Sequence, residues 1–156
     1  STAGPWYYSW AALSGYYRNY LRNPVKIEAT VGERTETGIT ALAQNSAPFT
    51  YFAKQPIHVC EDIAIDDGHL AMILLQRANQ LDMLNVVPRL LTKKLSAYKH
   101  GQVIHFDEML EAELKSVSTD ESGEVRPFPV QVDGDYIGEF DQVRLKAAPG
   151  ALTIIA

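Results

Sequence analysis

No apolar run in this sequence lasts more than a handful of residues, Ala71 to Leu75 being the strongest, and most runs stop at a turn signal. The signals are Gly32-Glu33-Arg34, Asp66-Asp67-Gly68, Asp120 to Gly123, Asp133-Gly134 and Pro149-Gly150. Short β-type runs bounded by Gly, Pro and Asp read as strands. Val25 to Val31 and Thr37 to Asn45 are expected to pair as a hairpin around Gly32-Glu33-Arg34. A polar-aromatic loop, Ser46 to Pro56, separates them from a short strand at Ile57 to Cys60 and a stronger one at His69 to Leu75. From Val103 onward the alternation of short runs and turns reads as a β-meander.

Two stretches break this pattern. Trp6, Trp10, Leu13, Tyr17, Tyr20 and Leu21 fall at the three-and-four spacing of one helical face. Pro5 suits the first turn of that helix, and Asn23-Pro24 ends it. Leu81, Leu84, Val87, Leu91 and Leu95 predict a second helix, kinked or broken at Pro88. With many short strands, two helices and no regular βαβ alternation, the expected class is mainly β (α+β): a two-sheet β-sandwich with a long N-terminal helix and one further helix.

At 156 residues the chain fits one domain able to bury a continuous core, and 46% hydrophobic with 21% charged residues is a globular composition. A net charge of -5 without a basic stripe argues against a nucleic-acid partner, which needs cations to displace counterions from phosphates. Nothing approaches the roughly 20 apolar residues of a membrane-spanning helix. The single cysteine, Cys60, closes no internal disulfide and belongs to no zinc spacing, so a reducing cytoplasm is the simpler setting. No signal-peptide pattern opens the chain.

Two acidic turns carry the candidate chemistry: Asp62 to Leu70, containing Asp66-Asp67-Gly68, and Val130 to Gly138, containing Asp133-Gly134-Asp135. Asp-Gly is the favoured two-residue hairpin connection, because a type I′ turn needs positive φ at both central positions; turn formation alone accounts for either segment. Carboxylates on rigid turns can also bind a hard divalent cation through oxygen or take a proton from a hydroxyl. His58, His69, His100 and His105 show no paired metal spacing, and no Gly-x-Ser-x-Gly elbow supports a hydrolase triad. Lys93, Lys94 and Lys99 read as a solvated helix end, with contact to anionic head groups as the functional alternative.

Taken in order, these segments resemble the C-terminal domain of the diacylglycerol kinase family of soluble bacterial lipid kinases, relatives of sphingosine kinases and more distantly of NAD kinases. The resemblance runs through most of the chain. It starts with the aromatic helix leading into Val25 to Val31, and passes through Gln44-Asn45-Ser46, Ile65-Asp66-Asp67-Gly68-His69-Leu70 and Pro88 to Leu91. Its most specific part is Pro129 to Asp135, followed by Ala148-Pro149-Gly150-Ala151-Leu152.

The resemblance implies an enzyme of two domains with its active site in the cleft between them. The N-terminal kinase domain binds ATP through a Gly-Gly-Asp-Gly-Thr type motif, and the β-sandwich receives the lipid. Residues 1–156 contain no such motif, so the chain is expected to be the second domain alone, inactive without its N-terminal partner. By resemblance Asp67 is the ligand of a structural Mg2+, helped by main-chain carbonyls near Ala64 and His69. Asp133 and Asp135 match the acidic pair to which the catalytic base is assigned, with Asp at position 135 where the family usually has the longer Glu. The loop after Asn45 is not glycine-rich, and Ala71 stands where the family often has Asp.

The implied activity is ATP- and Mg2+-dependent phosphorylation of diacylglycerol to phosphatidic acid. The expected setting is the cytoplasm, with transient contact at the inner membrane surface; a homodimer is left open. Two alternatives stand beside it: a non-catalytic β-sandwich binding a lipid or metabolite, and a kinase acting on a sphingoid base, another lipid alcohol or, as in NAD kinases, a nucleotide. An elongated apolar acceptor pocket separates a lipid kinase from an NAD-kinase-like enzyme.

Overall fold

A computed structural model describes residues 23–48, 50–52, 55–57, 60, 63–77 and 101–151. The two expected helices, at Pro5 to Leu21 and Leu81 to Leu95, lie outside the described residues, as do His58, His100 and the cluster of Lys93, Lys94 and Lys99. The described part is built from strands in several sheets.

Among the described residues eleven strands run in order: β1 (Ile27–Val31), β2 (Arg34–Gly38), β3 (Thr40–Gln44), β4 (Thr50–Phe52), β5 (Gln55–Ile57), β6 (Leu70–Leu75), β7 (Val103–Met109), β8 (Glu111–Ser116), β9 (Phe128–Val132), β10 (Asp135–Phe140) and β11 (Gln142–Lys146). Four form one sheet in the order β11-β8-β1-β2, and three form another in the order β3-β6-β7. The pairs β4-β5 and β9-β10 complete the set. All pairings are antiparallel.

The run Thr37 to Asn45, which reads as one strand in sequence, is divided between two sheets. β2 begins at Arg34, directly after a two-residue turn that pairs Val31 with Arg34. The chain then changes sheets between Gly38 and Thr40, where the Ile39 N–H donates to the Leu75 carbonyl at 2.8 Å. This corner is tight: a Cβ on Gly38 would lie 2.5 Å from Leu74 Cγ and 2.7 Å from the Leu75 carbonyl oxygen. Only a residue without a side chain fits there.

The expected meander is likewise more divided than its turns suggest. β7 and β8 follow each other with only Leu110 between them, yet β7 pairs with β6 while β8 pairs with β1 and β11. The change of sheet follows a bulge in which Asp107 and Glu108 both stand opposite Ala71, and Glu108 takes the left-handed φ of 51°. β9 and β10 do form a hairpin around Asp133-Gly134, as the sequence suggests.

The main core lies between the two larger sheets. Ile27 and Ala29 of β1 and Ala112 and Leu114 of β8 meet Met72 and Leu74 of β6, Phe106 and Met109 of β7, and Phe128 of β9. Fully burying a side chain such as Leu74 contributes about 1.5–3 kcal/mol. β6 is buried on both faces, because its alternate residues Ala71, Ile73 and Leu75 join Cys60, Ile63 and Val103 in a second apolar cluster. That explains why Ala71 to Leu75 is uninterrupted apolar sequence rather than an alternating one. The exposed Arg34 lays its guanidinium 4.7 Å from the ring centroid of the core residue Phe106 and donates to the His105 carbonyl at 3.2 Å.

Candidate functional site

The turn that enters β6 is closed by a reciprocal pair. The Ala64 N–H donates to Asp67 Oδ2 at 2.8 Å, and the Asp67 N–H donates back to the Ala64 carbonyl at 3.2 Å. Asp is suited to this, since its short carboxylate reaches backbone N–H groups of its own turn. The turn is anchored from both sides: the Ala47 N–H donates to the Ile63 carbonyl at 3.0 Å, and Pro149 sits over Gly68. Ala64, Ile65, Asp66 and Asp67 are exposed, whereas Gly68 and His69 are half-buried on the way into β6.

Among the described residues no three His, Cys, Asp or Glu side chains gather as a metal-binding group. Among the described residues the oxygen donors of the turn are the exposed carboxylates of Asp66 and Asp67 and main-chain carbonyls. Asp67 Oδ1 is not used in the turn, and the Ala64 carbonyl, accepting one N–H, keeps a second lone pair. Such a donor set fits a hard cation that retains much of its water, as Mg2+ does. It does not fit a soft metal, which would seek thiolate or imidazole.

The second acidic turn joins β9 to β10. Asp133 has a φ of 51° and Gly134 a φ of 92°, so both central residues are left-handed, as a type I′ turn requires. Asp133, Gly134 and Asp135 are all exposed, and among the described residues no hydrogen bond or ion pair holds either carboxylate. Both are thus open acceptors on a backbone that the paired strands make stiff. Asp135 stands opposite Val132, on the side of the hairpin that Phe128 and Val130 turn toward the core.

The structure joins Asp67 to Ala64 and leads through His69 into β6; Asp133 and Asp135 stand on a different element, and among the described residues no hydrogen bond or ion pair links the two turns. Two relationships were hidden from the sequence. The first is that Pro149 of the Ala148-Pro149-Gly150 turn packs on Gly68 of the acidic turn, bringing two of the quoted segments into contact. The second is a bulge at Ile137 in β10, behind Asp133 and Asp135.

Other chemically capable groups are inert in this setting. Cys60 is buried, and that burial, with the negative charge of Asp107 adding to it, pushes the thiol up to about 12. It is no nucleophile at neutral pH. Gln44 ends β3 in a buried position, its Nε2 donating weakly to the Cys60 carbonyl at 3.4 Å while its Oε1 has no partner among the described residues.

Comparison with solved structures gives the same fold in three proteins of Bacillus anthracis str. Sterne. One, provisionally named a diacylglycerol kinase, superimposes with a TM-score of 0.54 at 13% identity, over 88% of this chain and 48% of that one. A second of the same provisional name gives 0.50 at 12%, over 85% and 42%. The third, named a diacylglycerol kinase, gives 0.51 at 11%, over 86% and 43%. This chain therefore spans less than half the length of each of these relatives. A comparison with curated proteins found no match. The family model described as the YegS C-terminal NAD kinase beta sandwich-like domain matches residues 2–156. With nearly its whole length matched by that model, the chain belongs to the family of YegS C-terminal NAD kinase beta sandwich-like domains.

Proposed function

We propose that this domain is the acceptor side of an ATP- and Mg2+-dependent lipid kinase that converts diacylglycerol to phosphatidic acid. The observation that carries the reading is the exposed acid pair Asp133 and Asp135, without a partner among the described residues, on a stiff two-residue turn in a domain of the YegS C-terminal family. In the reaction the lipid hydroxyl oxygen bonds to the γ-phosphorus of ATP as the bond from that phosphorus to the β–γ bridging oxygen breaks. ADP leaves, and the hydroxyl proton passes to a carboxylate of the turn. Phosphoryl transfer asks for positioning and charge neutralisation more than for covalent catalysis, so a base on one domain facing nucleotide on another is sufficient.

ATP sits on an N-terminal kinase domain of the same protein, and closure of the two excludes water as a competing acceptor. Mg2+ would be held by Asp67 with the carbonyls of Ala64 and His69, supplying positive charge that stiffens the turn leading into β6. The enzyme works in the cytoplasm and meets its substrate at the inner membrane surface.

The test is phosphoryl transfer from radiolabelled ATP to a panel of lipids by the full-length protein. Labelled phosphatidic acid from diacylglycerol is the expected product. Transfer only to a sphingoid base reassigns the acceptor, and no transfer to any lipid alcohol overturns the reading.

A further inference from the structure

The β9-β10 hairpin runs in two registers. At its tip Val132 is opposite Asp135 and Gln131 opposite Tyr136; at its base Val130 is opposite Gly138, Pro129 opposite Glu139 and Phe128 opposite Phe140. Ile137 is the extra residue between the two and is 52% exposed. Gly138 follows with a φ of 136°, where L side chains are strained, and a Cβ on it would lie 3.3 Å from Phe140 Cε2. The bulge therefore has a specific residue built in to permit it.

Each register meets one demand. The base register sets the exposed Phe140 opposite the buried Phe128, so that by the rule that cross-strand partners share a face the two rings lie on one side of the hairpin. The tip register lets the hairpin close on two residues, Asp133 and Gly134. One register cannot do both. Continued to the tip, the base register would pair Val132 with Tyr136 and leave Asp133, Gly134 and Asp135 as a looser loop. Continued to the base, the tip register would set Glu139 opposite Phe128 and turn Phe140 to the other face.

We infer that the bulge at Ile137 and Gly138 is a positioning device for the acid pair. It fixes Asp133 in the left-handed turn and Asp135 at the first paired position of β10, beside Val132. Ile137 and Gly138 act through the backbone, as positioning residues. The functional half of this inference rests on the kinase reading; the structural half does not.

Deleting Ile137 removes the extra residue, whereas Ile137→Ala keeps it and discards only the exposed side chain. In the 156-residue chain, cross-strand NOEs between Val132 and Asp135 should persist in the parent and in Ile137→Ala, and give way to Val132–Tyr136 NOEs in the deletion. In the full-length kinase the deletion should lower kcat by about 10²–10⁴, the range for losing a general base, with the KM for ATP unchanged. Restoring one residue, as in Ile137→Ala, should restore kcat. If the deletion blocks folding, Gly138→Ala strains the same bulge and is read by the same two measurements.

A deletion that keeps the Val132–Asp135 NOEs overturns the inference. So does one that keeps kcat while Asp133→Asn or Asp135→Asn loses it, or an Ile137→Ala variant as impaired as the deletion. Should both Asn variants keep parental kcat, the assignment of the base to this turn falls and the NOEs alone decide the role of the bulge.

Discussion

Pro149 closes over Gly68 so tightly that a Cβ on Gly68 would stand 3.3 Å from both Cβ and Cγ of the proline ring. Gly68 also holds a φ of 73°. Gly68→Ala should therefore cost stability twice over, through strain at positive φ and through the push on Pro149. A loss of about 1 kcal/mol or more is expected where alanine replaces a left-handed glycine. That corresponds to a fall in Tm of about 2–4 °C for each kcal/mol in a chain of this size. A variant that melts with the parent would show the contact to be loose.

Asp67 does two jobs in the proposed site, capping its own turn and holding a cation, and two substitutions separate them. Asp67→Asn keeps an oxygen for the Ala64 N–H but gives up the charge. Its melting without Mg2+ should match the parent, and the increment that Mg2+ adds to the parent should vanish. Asp67→Ala should lower melting with and without the metal. An Asn variant that keeps the full Mg2+ increment would remove Asp67 as a ligand.

For the acid pair, Asp133→Asn in the full-length enzyme should lower kcat by about 10²–10⁴ and leave measurable residual transfer, since a general base contributes that much and no more. ATP affinity should hold, because the nucleotide is bound by the other domain in the proposed arrangement. Asp135→Asn is the comparison that assigns the base between the two. Parental kcat in both variants would reduce the turn to a hairpin connection.

Cys60 offers a probe of folding rather than of catalysis. Its thiol is pushed up to about 12 from an ordinary 9.0, chiefly by burial and further by the charge of Asp107. The folded chain therefore holds a proton that the unfolded chain releases above its own pKa. Stability should fall as pH rises from about 9 toward about 12, since the unfolded state binds fewer protons across that window. A thiol reagent at pH 8 should label Cys60 at the rate of unfolding in denaturant and hardly at all without it. Fast labelling of the native chain would place the thiol within reach of solvent.

The two acidic turns were legible because Asp-Gly turns advertise themselves locally: Asp133 and Gly134 adopt the backbone that their residue types predict. Gly38 gives no such sign, since its need for a bare backbone comes from Leu74 and Leu75, distant in sequence. The division of Thr37 to Asn45 between two sheets stayed hidden for the same reason. Ile137 is concealed differently, because adding one residue to a strand leaves its composition unchanged while altering its register. The Asp67 site was readable as a turn, but its reciprocal closure with Ala64 and its cover by Pro149 depend on three-dimensional proximity.

The placement of β1 between β2 and β8 bears on how the chain reaches its native state. Lys26 donates its N–H to the Ser118 hydroxyl from 92 residues away, and β1 pairs with β8 across a similar span. Closing such long loops precedes any gain from the contacts, so domains of this topology fold in milliseconds to seconds rather than microseconds. Until Glu111–Ser116 has been synthesised, β1 and β2 form at most a lone hairpin, marginal in water, with an open edge able to pair with another chain. During translation the early strands must therefore wait for the late ones, and the interval before β8 emerges is the period in which this protein is most exposed to misassembly.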